Sequence, residues 1–171
     1  THSTSSEELE ALTASLADTS YGHDANGTVT DVLAAFSRDP GRSNLSASRP
    51  MLDEDFAGNS VEAVIGALQR RGGAWAETQL KALSEKSPLS QKVAARQLAF
   101  GASMSFDDCM VMEYRLSQRA MAGRDFYEGV RAAVIDKDRA PKWRPATLAE
   151  ITDADVAEWF APLPAGDLRF D

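Results

Sequence analysis

Apolar residues recur along this chain at three- and four-residue spacing, interrupted by short polar or glycine- and proline-containing breaks, and this periodicity predicts helices throughout. Ser5 and Glu8 stand three apart, as in a capping box, ahead of Leu9, Leu12 and Leu16. Gly22 and Asn26-Gly27 are expected to end that first helix. A second then runs from Thr28 to Ser37 with Val29, Val32, Leu33 and Phe36 on one face. From Arg38 to Pro50 the chain holds Pro40, Gly41, Ser43, Asn44 and Ser46 and little apolar material, so an irregular and mobile connection is expected there.

Asn59 and Glu62 read as the next capping pair, before a stripe of Val61, Val64, Ile65 and Leu68 that Gly72-Gly73 closes. Ala74 to Glu85 follows as a helix carrying Trp75, Leu80 and Leu83. Ser87-Pro88 gives an N-cap with proline at the first helical position, opening a helix to about Ala102. Ser105 to Ala122 is apolar on several sides. Met112 and Leu116, with Val130 and Val134 from the next segment, are expected to be buried. Asp125 to Ile135 is ambiguous by periodicity, but Asp125 as a cap with Glu128 three residues on favours a helix. Pro141, Pro145, Pro162 and Pro164 keep the tail extended, except for a short helix from Asp153 to Phe160 after Thr152. No alternating β-branched runs occur that could build a sheet, and no repeat is visible. The expected fold is all-α, with six to eight helices. Three regions follow: a helical region over 1–86, a second over 87–143, and a proline-containing tail over 144–171.

Composition narrows the function classes. The 171 residues are 43% hydrophobic and 26% charged, enough for one folded core. A net charge of −8 argues against nucleic acid as a partner, since phosphate neutralisation needs clustered cations. No run of 18 apolar residues suggests a membrane span. Cys109 is the single cysteine and His2 and His23 the only histidines, so neither a disulfide nor a metal-ligand cluster is expected, and the chain reads as a reduced, metal-free, intracellular protein. The start Thr1-His2-Ser3 has neither initiator Met nor the features of a secretory signal. Thr1 is therefore expected to be a processing point or another boundary rather than a translation start.

Candidate chemistry is sparse. His2 and His23 sit in polar segments that offer no packed shell for an imidazole base. Neither a P-loop nor a G-x-G-x-x-G run occurs. Asp107-Asp108 and Asp153 with Asp155 fall at helix starts, where the dipole favours carboxylates. Residues 125–143 stand out: an apolar helix, D-F-Y-E-G-V-R-A-A-V-I, followed by D-K-D-R-A-P-K-W. Lys137, Arg139 and Lys142 can complement the helix dipole there, or meet the phosphates of an anionic ligand.

That segment resembles the late part of the 3-hydroxyisobutyryl-CoA hydrolases, a group within the crotonase (enoyl-CoA hydratase/isomerase) superfamily, whose D-F-x-E-G-V-R-A and I-D-K-D-x-x-P-x-W pattern it reproduces. Ser87-Pro88, Arg96-Gln97-Leu98, Met112 to Gln118 (M-E-Y-R-L-S-Q) and Asp167 to Phe170 (D-L-R-F) follow the same order, and weaker similarity extends back to the chain start. Tyr127 stands where His is common in that group. The resemblance implies the C-terminal helical portion of a crotonase-type (ClpP/crotonase-like) protein about twice this length. The ββα core, with its oxyanion hole and catalytic acids, would be absent from this chain. It also implies a thioesterase releasing 3-hydroxyisobutyrate and CoA in valine catabolism, in the cytoplasm of a bacterium or the mitochondrial matrix of a eukaryote. The CoA thioester is then substrate, and no cofactor is expected. No catalytic residue is carried over. Lys137 and Lys142 are the candidates for the adenine-phosphate end of CoA, by similarity to the basic tail of related enzymes. The N-terminal core half is the implied partner, and assembly of identical copies is left open. An enoyl-CoA hydratase portion and a non-catalytic helical assembly module are the competing readings.

Overall fold

The computed structural model describes residues 2–43 and 45–170; Thr1 and Asn44, read above as a chain start and a loop residue, lie outside it. All regular structure among the described residues is helical, as expected, with no strand. The chain divides into two compact units, residues 1–50 and 51–171.

In the first unit a 3-10 turn, Ser6–Glu8, leads into α1 (Leu9–Asp18), and α2 (Ala25–Ala35) packs against it. The capping box read at Ser5 does not form. Its hydroxyl donates to a Glu8 carboxylate oxygen at 3.0 Å instead of capping an amide. Glu8 is held by Arg38 at 2.6 Å through its other oxygen. Asn26-Gly27 is not a break but part of the first turn of α2, because the Asp24 carboxylate accepts from the Gly27 amide at 2.8 Å and starts the helix early. Glycine suits that position: a Cβ on residue 27 would come within 2.2 Å of the second oxygen of the capping carboxylate. The His2 Nδ1 meets the Ser37 hydroxyl at 2.6 Å, and the Arg38 amide donates to the Ser3 carbonyl at 2.7 Å. No described residue of this unit is buried.

A helix not anticipated from the sequence, α3 (Arg49–Asp55), carries the chain into the second unit. With it the described residues form nine α-helices rather than six to eight. The extra helix lacks an apolar stripe and begins inside the stretch read as irregular. In α4 (Val61–Arg71) the cap is Ser60, whose hydroxyl accepts from the Ala63 amide at 3.1 Å, not Asn59. Arg71 at its end pairs with the buried Asp55 and with Glu54 at 2.6 Å. The helix α5 (Gly73–Ser84) packs on α4. Next, α6 (Pro88–Gly101) starts on the Ser87 cap as read, and α7 (Phe106–Ala122) on Ser105. Beyond Gly123, α8 (Arg124–Val130) continues as one π-helical turn, Arg131–Ile135. A 3-10 turn, Leu148–Glu150, precedes α9 (Asp153–Glu158), which opens on a full capping box of Thr152 and Asp155.

The core of this unit joins α6, α7 and the tail: Val93, Met112, Leu116, Ile151 and Val156, with Leu89, Trp159 and Phe160 packed against them. Met112 and Leu116 are buried as expected. Val130 is half-buried, and Val134 is 62% exposed, contrary to the expectation; it lies in the π turn, where Ala132 is the residue that is buried. The reading of α7 as buried on several sides is likewise corrected: Phe106 is 76% exposed, and Met110 and Met121 are exposed too. No helix among the described residues is long and apolar enough to cross a membrane.

Candidate functional site: a clasped basic turn

The segments singled out in the sequence are brought together by charged clasps. Asp125 does not cap α8, whose N-cap is Gly123. Its carboxylate instead accepts from the Ser87 hydroxyl at 2.8 Å and from the Arg144 amide at 3.0 Å, so one acid ties the start of α6 to the tail. Arg115 of α7 forms a forked pair with Asp167, at 2.9 and 2.6 Å, and donates to the Phe160 carbonyl at 3.0 Å. That fork holds the Asp167 carboxyl below its usual range. Gln97 reaches Glu113 at 2.5 Å, and Arg96 reaches Asp153 at 3.2 Å.

The densest clasp centres on Arg131. Its guanidinium takes both oxygens of Glu128, at 3.1 and 2.9 Å, then Asp136 and Asp138 at 2.7 Å each, and the Ala140 carbonyl at 3.2 Å. A Glu128 oxygen also accepts from the Lys142 amide at 2.7 Å. The Arg131 fork first, and that amide second, lower the Glu128 pKa to about 2. Asp138 is lowered as well, by the Ala140 amide and by Arg131. Facing all these acids, Arg131 is held more firmly protonated than usual. The effect is to fold residues 136–142 back along α8. Trp143 then reaches across: its indole N–H donates to the Glu85 carbonyl at 3.1 Å, and its ring lies so close to Gly129 that an added Cβ would sit 3.3 Å from it.

Lys137 and Lys142, the candidate phosphate-binding residues, are both exposed on this turn. Neither ammonium makes an ion pair or hydrogen bond among the described residues. Lys137 and Arg139 both have left-handed backbones, with φ of 56° and 53°. Beside the turn lies an open cleft of about 490 Å³, floored by Leu89, Phe126, Val130, Ala133, Trp143 and Trp159 and rimmed by Lys86, Arg124 and Arg144. Such an apolar floor with a cationic rim suits an amphipathic anion or the apolar face of another protein segment. The cleft is not lined by Lys137 or Lys142. His2 is engaged by Ser37, and no three His, Cys, Asp or Glu side chains among the described residues are grouped to hold a metal ion.

Sequence reasoning missed the clasp of Arg131 with Glu128, Asp136 and Asp138, reading Glu128 only as a helix-start acid. Their spacing was the available signal: Glu and Arg three apart at the end of a helix, with acids five and seven residues beyond the Arg.

The model of the family described as "Enoyl-CoA hydratase/isomerase" matches residues 1–160. The chain belongs to the enoyl-CoA hydratase/isomerase family. Within it, the resemblance to the 3-hydroxyisobutyryl-CoA hydrolases holds. The chain is 41% identical to the mitochondrial 3-hydroxyisobutyryl-CoA hydrolase of Bos taurus, over 83% of this chain and 38% of that protein. It is 38% identical to the mitochondrial enzyme of the same name from Danio rerio, over 99% of this chain and 45% of the relative. Among solved structures it is similar to a carnitinyl-CoA dehydratase from Mycobacterium thermoresistibile, with a TM-score of 0.74 at 30% identity, over 96% of this chain and 45% of the other. The chain thus spans less than half the length of these relatives.

Proposed function

We propose that this chain is the C-terminal helical part of an acyl-CoA thioester hydrolase that converts 3-hydroxyisobutyryl-CoA to 3-hydroxyisobutyrate and CoA in valine catabolism. The supporting observation is the likeness to relatives named 3-hydroxyisobutyryl-CoA hydrolase along almost the whole chain. The ββα core, with its oxyanion hole and catalytic acids, would lie in the part of the relatives that this chain does not span. That core is the proposed partner. It would cover apolar side chains that the helices leave outward, among them Leu98 at 77%, Phe106 at 76% and Ile135 at 69% exposure. Lys137 and Lys142 would receive the phosphates of CoA as remote binding groups. The site of action would be the mitochondrial matrix in a eukaryote, a reading that the relatives' being named mitochondrial supports, and the cytoplasm in a bacterium.

The second reading, an enoyl-CoA hydratase or related dehydratase, draws on the solved structure of a carnitinyl-CoA dehydratase, which is less similar in sequence than the hydrolases. Turnover by the protein carrying this chain separates the two. Free thiol should appear from 3-hydroxyisobutyryl-CoA, with little hydration of crotonyl-CoA; the reverse preference would overturn the hydrolase reading.

A further inference from the structure

Lys137 lies between Asp136 and Asp138, two carboxylates that would be the nearest partners for its ammonium and would repel an arriving anion. In the structure both are turned away, each bound at 2.7 Å by the same Arg131 nitrogen. The turn itself needs holding, because Lys137 and Arg139 occupy a left-handed region that side-chain-bearing residues seldom adopt. Four bonds do so: the Arg131 guanidinium to the Ala140 carbonyl at 3.2 Å, the Arg139 amide to the Ala132 carbonyl at 3.0 Å, the Ala140 amide to Asp138 at 2.9 Å and the Lys142 amide to Glu128 at 2.7 Å. Three involve Arg131 or a carboxylate that it binds.

We propose that Arg131 is a positioning residue for anion binding. It withdraws Asp136 and Asp138 from Lys137 and sets the left-handed turn, so that the Lys137 and Lys142 ammonium groups stay unpaired and outward for the phosphates of a CoA-type ligand. This rests on the reading of the two lysines given above. Arg131 itself touches no ligand, and its planar fork is what allows one side chain to bind three acids and a carbonyl together.

The test uses the full-length protein with two substrates: 3-hydroxyisobutyryl-CoA and the matching pantetheine thioester, which lacks the nucleotide phosphates. Arg131→Met should lower kcat/KM for the CoA substrate about tenfold relative to the pantetheine one, through KM, as loss of charge-assisted bonds that order a remote contact would. Arg131→Lys should recover part of the loss. Adding Asp136→Asn and Asp138→Asn to Arg131→Met should also recover part, since the competing charges are gone. Hydrogen exchange at the Arg139 and Lys142 amides should quicken in Arg131→Met. Equal loss on both substrates, or no recovery with the two Asn changes, would overturn the proposal. Should Arg131→Met not fold, Arg131→Lys and Glu128→Gln carry the same comparison. Unchanged KM for the CoA substrate in Lys137→Ala and Lys142→Ala would sink the phosphate reading instead, and exchange would then decide the turn-setting role alone: unchanged rates overturn it.

Discussion

The two units of this chain are held together by different means. Residues 51–170 bury an apolar core and add charged clasps around it, whereas no described residue of the first unit is fully buried, and that unit closes on polar links such as Glu8 to Arg38 and His2 to Ser37. Exposed links of this kind contribute little net stability, because each polar group exchanges a good bond to water for one to protein. Burial is what offsets chain entropy. The first unit therefore has the makeup of an element that depends on apolar cover from elsewhere, and the second that of an element able to define its own shape.

Core truncation should show the contrast most strongly. Leu116→Ala, in the packed seam of α6, α7 and the tail, should cost roughly 2 to 5 kcal/mol in a denaturant melt. Leu12→Ala in the half-buried stripe of α1 should cost clearly less. Equal losses would break the comparison, and would mean that the first unit is packed as tightly as the second.

A smaller effect is expected at the tail clasp. Asp167→Asn weakens the fork to Arg115, which also anchors the Phe160 carbonyl, so Tm should fall by less than in Leu116→Ala while exchange quickens around residues 160–167. No change in exchange there would reduce the clasp to an incidental surface pair.

The Arg131 clasp should add a pH dependence. Bonds from Arg131 first and from the Lys142 amide second lower the Glu128 pKa from 4.5 to about 2, so the folded chain favours the charged carboxylate more than the unfolded chain does. The resulting stabilisation is fully present above pH 4.5 and is lost as pH falls through 2. The stability gap between the natural chain and Glu128→Gln should accordingly be flat above that window and close within it. A gap that persisted at the acid end would assign the role of Glu128 to shape alone.

Much of the second unit was legible because its signals are local. Ser87-Pro88 places a cap and a first-turn proline in adjacent positions, and Thr152 with Asp155 closes a box within one turn, so those helix starts follow from chain chemistry alone. The helix Arg49–Asp55 was hidden, since it has no apolar stripe and starts within a run of turn-forming residues. The π turn at 131–135 was invisible for another reason. Its Asp136 amide bonds to the Arg131 carbonyl at 2.8 Å, a five-residue register that 3.6-residue periodicity does not encode, and Val134 within it is exposed. At the candidate site, Lys137 and Lys142 are singled out by similarity to the basic tail of related enzymes, and their ligand role is a proposal. Ser87 with Asp125 and Arg115 with Asp167 could not be paired from the sequence, because each pair joins residues 38 or 52 positions apart.

The smallest stability effect should come from the lysines themselves. Lys137→Ala and Lys142→Ala remove exposed, unpaired ammonium groups, so each should change stability by no more than about 0.5 kcal/mol. In the full-length protein each should nonetheless raise KM for acyl-CoA more than it lowers kcat, as expected of a contact remote from the reacting bond. A lower kcat at unchanged KM would place these lysines in the chemistry instead.

The central claim is that this chain provides scaffold and ligand-binding surface while another part of the protein provides the chemistry. The most direct measurement is release of free thiol from 3-hydroxyisobutyryl-CoA by purified residues 1–171, alone and after mixing or co-expression with the N-terminal half. Losing a single oxyanion donor costs a known hydrolase about 100- to 1,000-fold, so a chain without that apparatus should show no turnover above background. No activity is expected from the chain alone, and some should be restored by the other half. Robust turnover by residues 1–171 alone would contradict that claim.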